Sequence, residues 1–316
     1  MNQFNVLISN KKKKKGVKIL EKNRINVVKD YSLSQEDLKR EITQYDGIIV
    51  RSGTKLTEDI LKSADKLKVI GRAGVGLDNI DLKAARELDI QVFNTPSAPS
   101  VSVAELTMGL ILSLARFIPK ADKTMHQGEW LKSNYRGYEI YGKKIGIVGF
   151  GNIGKEVGKR GESFGMEVGI FDIDHQIQEK AKEEGYIVYD SIDDLIKNCQ
   201  IISLHIPSNI HTKNIINDRR INLMDKDTII INAARGALID EDALINALKE
   251  NKIGGAALDV YKEEPLENEK IMGYEGDNLV LTPHIGSQTE ETQIKAATGI
   301  AEKLSNYLKN LQEESQ

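Results

Sequence analysis

Short apolar runs alternate with longer charged stretches along nearly the whole chain. Residues 6–8, 26–28, 47–51, 67–71 and 91–94 read as strands, and Thr95-Pro96 closes the series. Helical stretches separate them: 16–22, one starting at Ser34 with Glu36 and Asp37 in its first turn, 57–63 and 82–88. A second series begins at Lys143, with strands at 145–148, 167–171, 201–205, 228–232, 256–260 and 279–281. Its helices run from Asn152 to about Phe164, over 191–197 and over 241–249, and a charged amphipathic helix covers 289–311. Repeated strand–helix units predict two parallel sheets with helices on both faces. The longest apolar helical pattern spans 100–117, capped by Ser100 or Ser102 with Glu105 at capping-box spacing from Ser102. Apolar nearly all round, it is expected to be buried between domains or at a subunit interface. Pro119 is expected to end it, and an irregular stretch with Trp130 to follow.

One stretch, 143–172, carries a specific signal. The run 145–148 enters Gly149-Phe150-Gly151-Asn152-Ile153-Gly154, a GxGxxG turn opening a helix, and the next strand ends on Asp172. Gly149 permits the tight turn, Gly151 leaves room for a pyrophosphate, and Gly154 lets helix and strand pack closely. The helix N-terminus offers unpaired N–H groups and a positive dipole end. Asp172, 18 residues past Gly154, accepts ribose hydroxyls and repels a 2′-phosphate, which favours NAD over NADP. A glycine-rich turn in another α/β fold is the bland alternative. Glycines at 158 and 161 inside the same helix each cost about 1 kcal/mol against alanine, with no functional reason in the sequence.

Composition narrows the class. The 316 residues suffice for two domains, 40% hydrophobic content for real cores, and the net charge of −3 gives no global attraction for nucleic acid. The single cysteine, Cys199, precludes an internal disulfide framework, fits a reducing compartment and reads as a buried structural thiol. No secretory leader and no membrane-spanning run are seen, so a soluble cytoplasmic protein is expected, with no membrane partner. Lys11, Lys12, Lys13, Lys14 and Lys15 read as a solvated loop. A nucleic-acid patch there lacks interleaved aromatics, and a third reading has these lysines steering an anionic substrate.

Three polar residues follow strands of the second series: Arg235, Glu264 and His284. Strand C-terminal ends face the ligand crevice in such sheets. A histidine suits the transfer of a hydroxyl proton, a carboxylate orients it and stabilises the imidazolium, and a guanidinium fork holds a substrate carboxylate. Taken singly, each reads more readily as structural; their shared placement reverses that and makes them the catalytic set. His205, also ending a strand, is the rival base, assigned to the adenosine side or to structure. No HExxH or CxxC spacing occurs, so no metal is expected. In the first series, the glycine-rich loop from Gly71 through Val75 and Gly76 reads as an anion nest, with Arg51, Ser52 and Arg72 available for a second anionic group. An ordinary surface role for Arg72 is an even alternative.

The motifs RSGTKLT at Arg51, GRAGVGLDNID at Gly71, NTP at Asn94, SVAEL at Ser102, GKKIGIVGFGNIG at Gly142, NAARGALID at Asn232, GAALDVYKEEP at Gly255 and TPHIGS at Thr282 occur in order. Through them the chain resembles the D-2-hydroxyacid dehydrogenase family over nearly its whole length, most closely the phosphoglycerate dehydrogenase subgroup. The resemblance implies an α/β fold of two doubly wound parallel-sheet domains, an NAD-binding Rossmann domain at 97–286 inserted into a flavodoxin-like substrate domain at 1–96 and 287–316. It implies Arg235, Glu264 and His284 as catalytic, Val75 and Gly76 amides at the substrate carboxylate, and Arg51 and Arg72 at a phosphate. It adds Asp259 as a contact to the nicotinamide amide. With Gly149, Gly151, Asn152, Ile153, Gly154 and Asp172, the residues His205, Pro207, Thr212 and Ala233 complete the expected cofactor set. A homodimer on the helix from Ser100 is implied. The regulatory domain of longer relatives is expected to be absent, and feedback by serine with it. The function implied is NAD-dependent oxidation of 3-phospho-D-glycerate. Reduction of glyoxylate or hydroxypyruvate is the enzymatic alternative, and an NAD-sensing corepressor-like protein the non-enzymatic one.

Overall fold

The computed structural model of the chain describes residues 4–9 and 14–314. It divides into two compact units, Met1–Pro99 with Ser287–Gln316, and Ser100–Gly286. In the first unit the elements run β1 (Asn5–Ile8), α1 (Lys14–Lys22), β2 (Asn26–Lys29), α2 (Gln35–Glu41), β3 (Gly47–Val50), α3 (Glu58–Lys62), β4 (Val69–Arg72), α4 (Leu82–Glu87) and β5 (Gln91–Asn94). The strands are parallel in the order β2-β1-β3-β4-β5, the flavodoxin-like order. Successive strand side chains point to opposite faces. Leu7, Ile48, Val50 and Ile70 therefore pack with Leu38, Ile60 and Ala84 from α2, α3 and α4. Val6, Ile8, Ile49 and Val69 pack on the other face with Val17 and Leu20 of α1 and with Ile300, Leu304 and Leu308 near the C-terminus. Burying each such Ile or Leu stabilises by about 1.5–3 kcal/mol. Ser34 caps α2 by accepting from the Asp37 N–H, as its position predicts.

The second unit holds α5 (Ser100–Arg116), α6 (Ile118–His126), β6 (Lys144–Val148), α7 (Asn152–Ser163), β7 (Glu167–Phe171), α8 (His175–Glu183), β8 (Ile187–Val188), α9 (Ile192–Asn198), β9 (Ile201–Leu204), α10 (Asp218–Ile221), β10 (Ile229–Asn232), α11 (Glu241–Lys249), β11 (Gly255–Leu258), α12 (Glu269–Met272) and β12 (Leu279–Leu281). The parallel sheet is ordered β12-β11-β10-β9-β6-β7-β8, so strand order reverses between β6 and β9. That reversal is the crevice where such sheets bind dinucleotides. Ile145, Ile147, Ile229 and Ile231 face α5 and α7, while Val148, Ile202, Leu204 and Ile230 face α9 and α11. The chain then returns to the first unit in α13 (Glu290–Glu314).

Several local expectations need correction. Pro119 does not open an irregular stretch. Phe117 takes a left-handed backbone (φ 54°), and α6 starts at Ile118 with Pro119 in its first turn, where the missing N–H costs nothing. Neither Ser100 nor Ser102 caps α5, because the helix already begins at Ser100, whose buried Oγ has no hydrogen-bond partner among the described residues. In the single chain α5 packs one side on the sheet of its own unit and exposes Val101, Glu105, Gly109 and Arg116 on the other. The short strand β8 and the helices α8, α10 and α12 were not legible in the pattern. Lys11, Lys12 and Lys13 lie outside the described residues, and Lys14 and Lys15 are exposed at the start of α1. Cys199 is free and buried, and burial pushes its thiol up to about 11. Among the described residues no single helix is long and apolar enough to cross a membrane.

Gly158 acquires a packing reason and Gly161 does not. Both are buried on the face that α7 lays against the sheet. A Cβ on Gly158 would stand 3.1 Å from the Phe150 ring, whereas one on Gly161 would meet the Ile145 and Val168 methyls at 3.4 Å, an ordinary contact. At Gly154 a Cβ would stand 2.2 Å from the Gly149 carbonyl oxygen. Gly161→Ala should therefore gain about 1 kcal/mol of helix propensity and raise Tm by about 2–4 °C. Gly154→Ala should lower Tm. Thermal unfolding of the two variants, followed by circular dichroism, checks both signs.

Candidate active site

The glycine turn after β6 has the geometry an approaching diphosphate requires. Gly149 sits at φ +92°, which only glycine adopts freely, and a side chain there would strike the His205 carbonyl oxygen at 2.6 Å. Gly151 is the extended residue before α7, exposed, and a Cβ added to it would meet nothing within 4 Å. The space beside its backbone is open, and the first N–H groups of α7, from Asn152 and Ile153 onward, point there with the positive end of the helix dipole.

Asp172 lies just past β7 with its carboxylate already oriented. Oδ2 accepts the Phe150 N–H from within the glycine turn at 2.7 Å, and Oδ1 accepts the Asp174 N–H at 3.0 Å. Each oxygen keeps a lone pair for a ribose hydroxyl. Asp174 caps α8 next to it, which adds a second acid against a 2′-phosphate. Opposite, after β9, His205 bonds Ser203 Oγ through Nε2 at 2.8 Å, and its buried Nδ1 has no partner among the described residues. Burial pushes this imidazole down to about 4, so it is neutral at pH 7. A ring with one nitrogen bonded to Ser203 and the other buried is poorly placed as the base. Thr212 Oγ1 donates to the Pro207 carbonyl at 2.8 Å and accepts the Asn209 N–H at 2.8 Å, which closes the loop after β9. Ala233 follows β10, half-buried. The turn, the open space at Gly151 and the oriented acid fit a dinucleotide such as NAD.

The three expected catalytic residues lie past three neighbouring strands, β10, β11 and β12. His284 Nδ1 and Glu264 Oε2 are 2.6 Å apart, both partly exposed. Glu264 Oε1 accepts the Tyr261 N–H at 3.1 Å, so the carboxylate is oriented from both ends. His284 itself is left-handed, with φ +53°, a backbone state that costs a non-glycine residue about 1–3 kcal/mol unless its surroundings enforce it. Arg235 is half-buried at the end of β10. Asn232 shapes its loop, donating to the Arg235 carbonyl at 2.9 Å and accepting the Ala234 N–H at 3.1 Å. Asp259, expected at the nicotinamide, is 1% exposed and both its oxygens are engaged within this unit by Thr282, Ile285 and Gly286. Tyr261 was not singled out from the sequence. Its hydroxyl donates to the Thr282 carbonyl at 2.9 Å, and nothing in the sequence pattern separates it from an ordinary residue after a strand. Among the described residues no cluster of His, Cys, Asp or Glu is placed to hold a metal ion.

In the first unit, Arg51 follows β3 and Arg72 ends the adjacent β4, where Val50 and Arg72 are in register. The Asn79 amide holds the first loop, donating to the Arg51 carbonyl at 2.9 Å and the Thr54 carbonyl at 2.6 Å. Asn94 donates to the Val75 carbonyl at 2.6 Å, and Thr95 Oγ1 accepts the Gly74 N–H at 2.9 Å. Gly74 sits at φ +144°, and the Arg72 guanidinium lies over it where a Cβ would be. The Val75 and Gly76 N–H groups take no part in backbone hydrogen bonding among the described residues, as an anion nest requires. Ser52, next to Arg51, is exposed. The asparagines were missed in the sequence, although Asn directly after a strand or a glycine loop is a turn-fixing signal.

Comparison with known proteins points one way. A family model described as the NAD binding domain of D-isomer specific 2-hydroxyacid dehydrogenase matches residues 108–286. A D-3-phosphoglycerate dehydrogenase of Methanocaldococcus jannaschii is 45% identical over 305 residues, covering 96% of this chain and 57% of the relative. The chain thus spans little more than half of that relative's length. A hydroxypyruvate reductase of Thermotoga maritima is 40% identical over 308 residues, covering 96% of this chain and 98% of the relative. The solved structure of an NAD+-bound 3-phosphoglycerate dehydrogenase of Entamoeba histolytica superposes with a TM-score of 0.81 at 30% identity, covering 98% of this chain and 96% of the other.

Because the Gly151 position is open and bears no packing, Gly151→Ala separates binding from stability. Its Tm should match that of the parent, while NADH affinity, read by fluorescence titration, should weaken by about tenfold, equivalent to about 1.4 kcal/mol.

Proposed function

The chain belongs to the D-isomer specific 2-hydroxyacid dehydrogenase family, and on that premise we propose that it oxidises 3-phospho-D-glycerate to 3-phosphohydroxypyruvate with NAD, the entry to serine synthesis. The observation that carries the chemistry is the 2.6 Å hydrogen bond between His284 Nδ1 and Glu264 Oε2. It occupies one ring nitrogen and leaves Nε2 to take the substrate hydroxyl proton. Arg235 holds the substrate carboxylate and polarises the carbonyl that forms beside it. The glycine turn and Asp172 would hold NAD, which when bound would supply the hydride acceptor for the carbon that bears the hydroxyl. The products are the keto acid, NADH and the proton carried away through His284. In the reverse direction protonated His284 returns that proton to the nascent alkoxide.

Support for a phosphorylated substrate comes from the first unit. Arg51 and Arg72 stand at adjacent strand ends, Ser52 adds a hydroxyl, and Val75 and Gly76 supply the amides for the substrate carboxylate. An unphosphorylated hydroxy acid has no use for the second anion site. Hydroxypyruvate reduction is the second reading, favoured by the Thermotoga relative, which this chain matches over nearly its full length.

NADH formation from 3-phospho-D-glycerate, under product trapping, is to be measured beside D-glycerate and D-lactate, with Arg51→Ala in parallel. The phosphorylated acid should be preferred, and the variant should lose kcat/KM for it by about tenfold to hundredfold, the worth of one charge-assisted contact of about 1.5–3 kcal/mol. Preference for an unphosphorylated acid would select the second reading, and no turnover with any hydroxy acid would leave a binding protein. A homodimer is part of the proposal, resting on the exposed stripe of α5 at Val101, Glu105 and Gly109. Light scattering should return twice the chain mass; the single-chain mass would remove that part.

A further inference from the structure

Two carboxylates take the N–H groups of two consecutive residues past β11. Glu264 Oε1 accepts the Tyr261 N–H at 3.1 Å, and Glu241 Oε1 accepts the Lys262 N–H at 2.8 Å. Glu241 is the first residue of α11, and its other oxygen accepts the Asn268 side-chain amide at 2.8 Å. Asn268 in turn caps α12, its Oδ1 accepting the Lys270 N–H at 3.0 Å. Residues 261–268 form no helix or strand, so Glu241 closes this loop at both ends, with Glu264 between them. The segment that carries Arg235 lies against the same place. A Cβ on Gly236 would stand 1.9 Å from the Tyr261 carbonyl carbon and 2.4 Å from the Lys262 nitrogen. Leu266 packs on the core and Ile271 is buried, so the loop is also anchored apart from Glu241.

We propose that Glu241 is the positioning residue of the Glu264 carboxylate, fixing the loop so that Oε2 meets His284 Nδ1. Residues 235–241 thereby hold Arg235 and the acid–base pair in one frame. The inference rests on the reading of His284 and Glu264 as that pair. With Glu241 removed, the Lys262 N–H and the Asn268 amide can turn to water, so what is lost is direction and not the fold. A loop left to solvent spreads over several conformations, and Glu264 then orients His284 in only some of them. The effect falls on turnover and leaves cofactor binding at the glycine turn as it stands.

The full chain carrying Glu241→Ala, Glu241→Gln, Asn268→Asp or the pair Glu241→Gln/Asn268→Asp provides the test. With Glu241→Gln alone a donor faces a donor whichever way the amide turns, and with Asn268→Asp alone two carboxylates face each other. Together they restore the hydrogen bond with donor and acceptor exchanged, and the glutamine carbonyl still accepts the Lys262 N–H. For the preferred hydroxy acid, kcat should fall about tenfold in each single variant and return to within about threefold of the parent in the pair. NADH Kd should stay within about twofold throughout. An unchanged kcat in Glu241→Ala, a Kd that weakens in step with kcat, or a pair no better than its singles overturns the proposal. Nitrogen NMR shifts of the His284 ring, in histidine-labelled protein, read the same geometry without turnover. In alkaline buffer the parent should hold its ring proton on Nδ1, toward Glu264. The single variants should shift that proton toward Nε2, and the pair should restore it. An unchanged tautomer in Glu241→Ala also overturns the proposal. If the parent turns over no hydroxy acid, the reaction reading fails, and the tautomer still decides the role of Glu241. Should Glu241→Ala not fold, the comparison of the pair with its singles carries both measurements.

Discussion

The Gly149 carbonyl oxygen and the Gly154 Cα are closer than any side chain permits, with a would-be Cβ 2.2 Å from that oxygen. This contact draws the start of α7 onto the end of β6, and the rest of the nucleotide-binding unit follows from it. With the helix so close, its N-terminus points along the strand into the gap between β6 and β9. The same closeness brings the Phe150 ring under α7, edge-on to Tyr186 at 4.9 Å between centroids. The buried Phe150 then aims its N–H at Asp172. A single steric constraint thus sets the dipole for the diphosphate and the acid for the ribose together. Glycines that look wasteful for a helix are the condition for the packing that stabilises it.

Loops past parallel strands have no ladder to hold them, so the fold uses polar side chains instead. Carboxylates do most of this work. Asp172 ties the glycine turn to β7, Asp259 ties β11 to the residues around His284, and Glu241 accepts the Lys262 N–H and the Asn268 amide at the two ends of the loop that bears Glu264. Each acceptor is buried or half-buried, and losing one would strand N–H groups at about 1–3 kcal/mol each. In the first unit neutral amides do the same, from Asn79 and Asn94.

How much was readable follows from what each element depends on. Strands fully buried on both faces are continuous apolar runs, so β3, β9 and β10 stood out within a residue or so. The start of α2 at Ser34 was legible because capping is local. The helix α8 was hidden because its sequence, HQIQEKAKE, buries only Ala181 and so carries almost no apolar stripe. A capping-box pattern at Ser102 misled because the same residues satisfy it inside a helix that had already begun. Arg235, Glu264 and His284 were recoverable because topology alone places strand ends together. Tyr261 and the hydrogen-bonding role of Asp259 were not, because their partners at 282–286 lie in the loop past a different strand, and no spacing encodes which carbonyl a hydroxyl will meet.

Placing the reacting groups on one sheet and the anion-recognition loops on another has a chemical consequence. On the proposed function, the His284–Glu264 pair and the glycine turn would serve any hydride transfer to or from a small hydroxy acid, and selectivity would fall to the residues after β3 and β4. There Arg72 can lie across the loop only because residue 74 lacks a side chain and sits at φ +144°. Any larger residue at 74 would both strain the backbone and displace the guanidinium. A change of substrate within this architecture therefore needs no repacking of either core. Replacing Arg51, or giving position 74 a side chain, would alter the proposed anion site while leaving the His284–Glu264 pair as it stands.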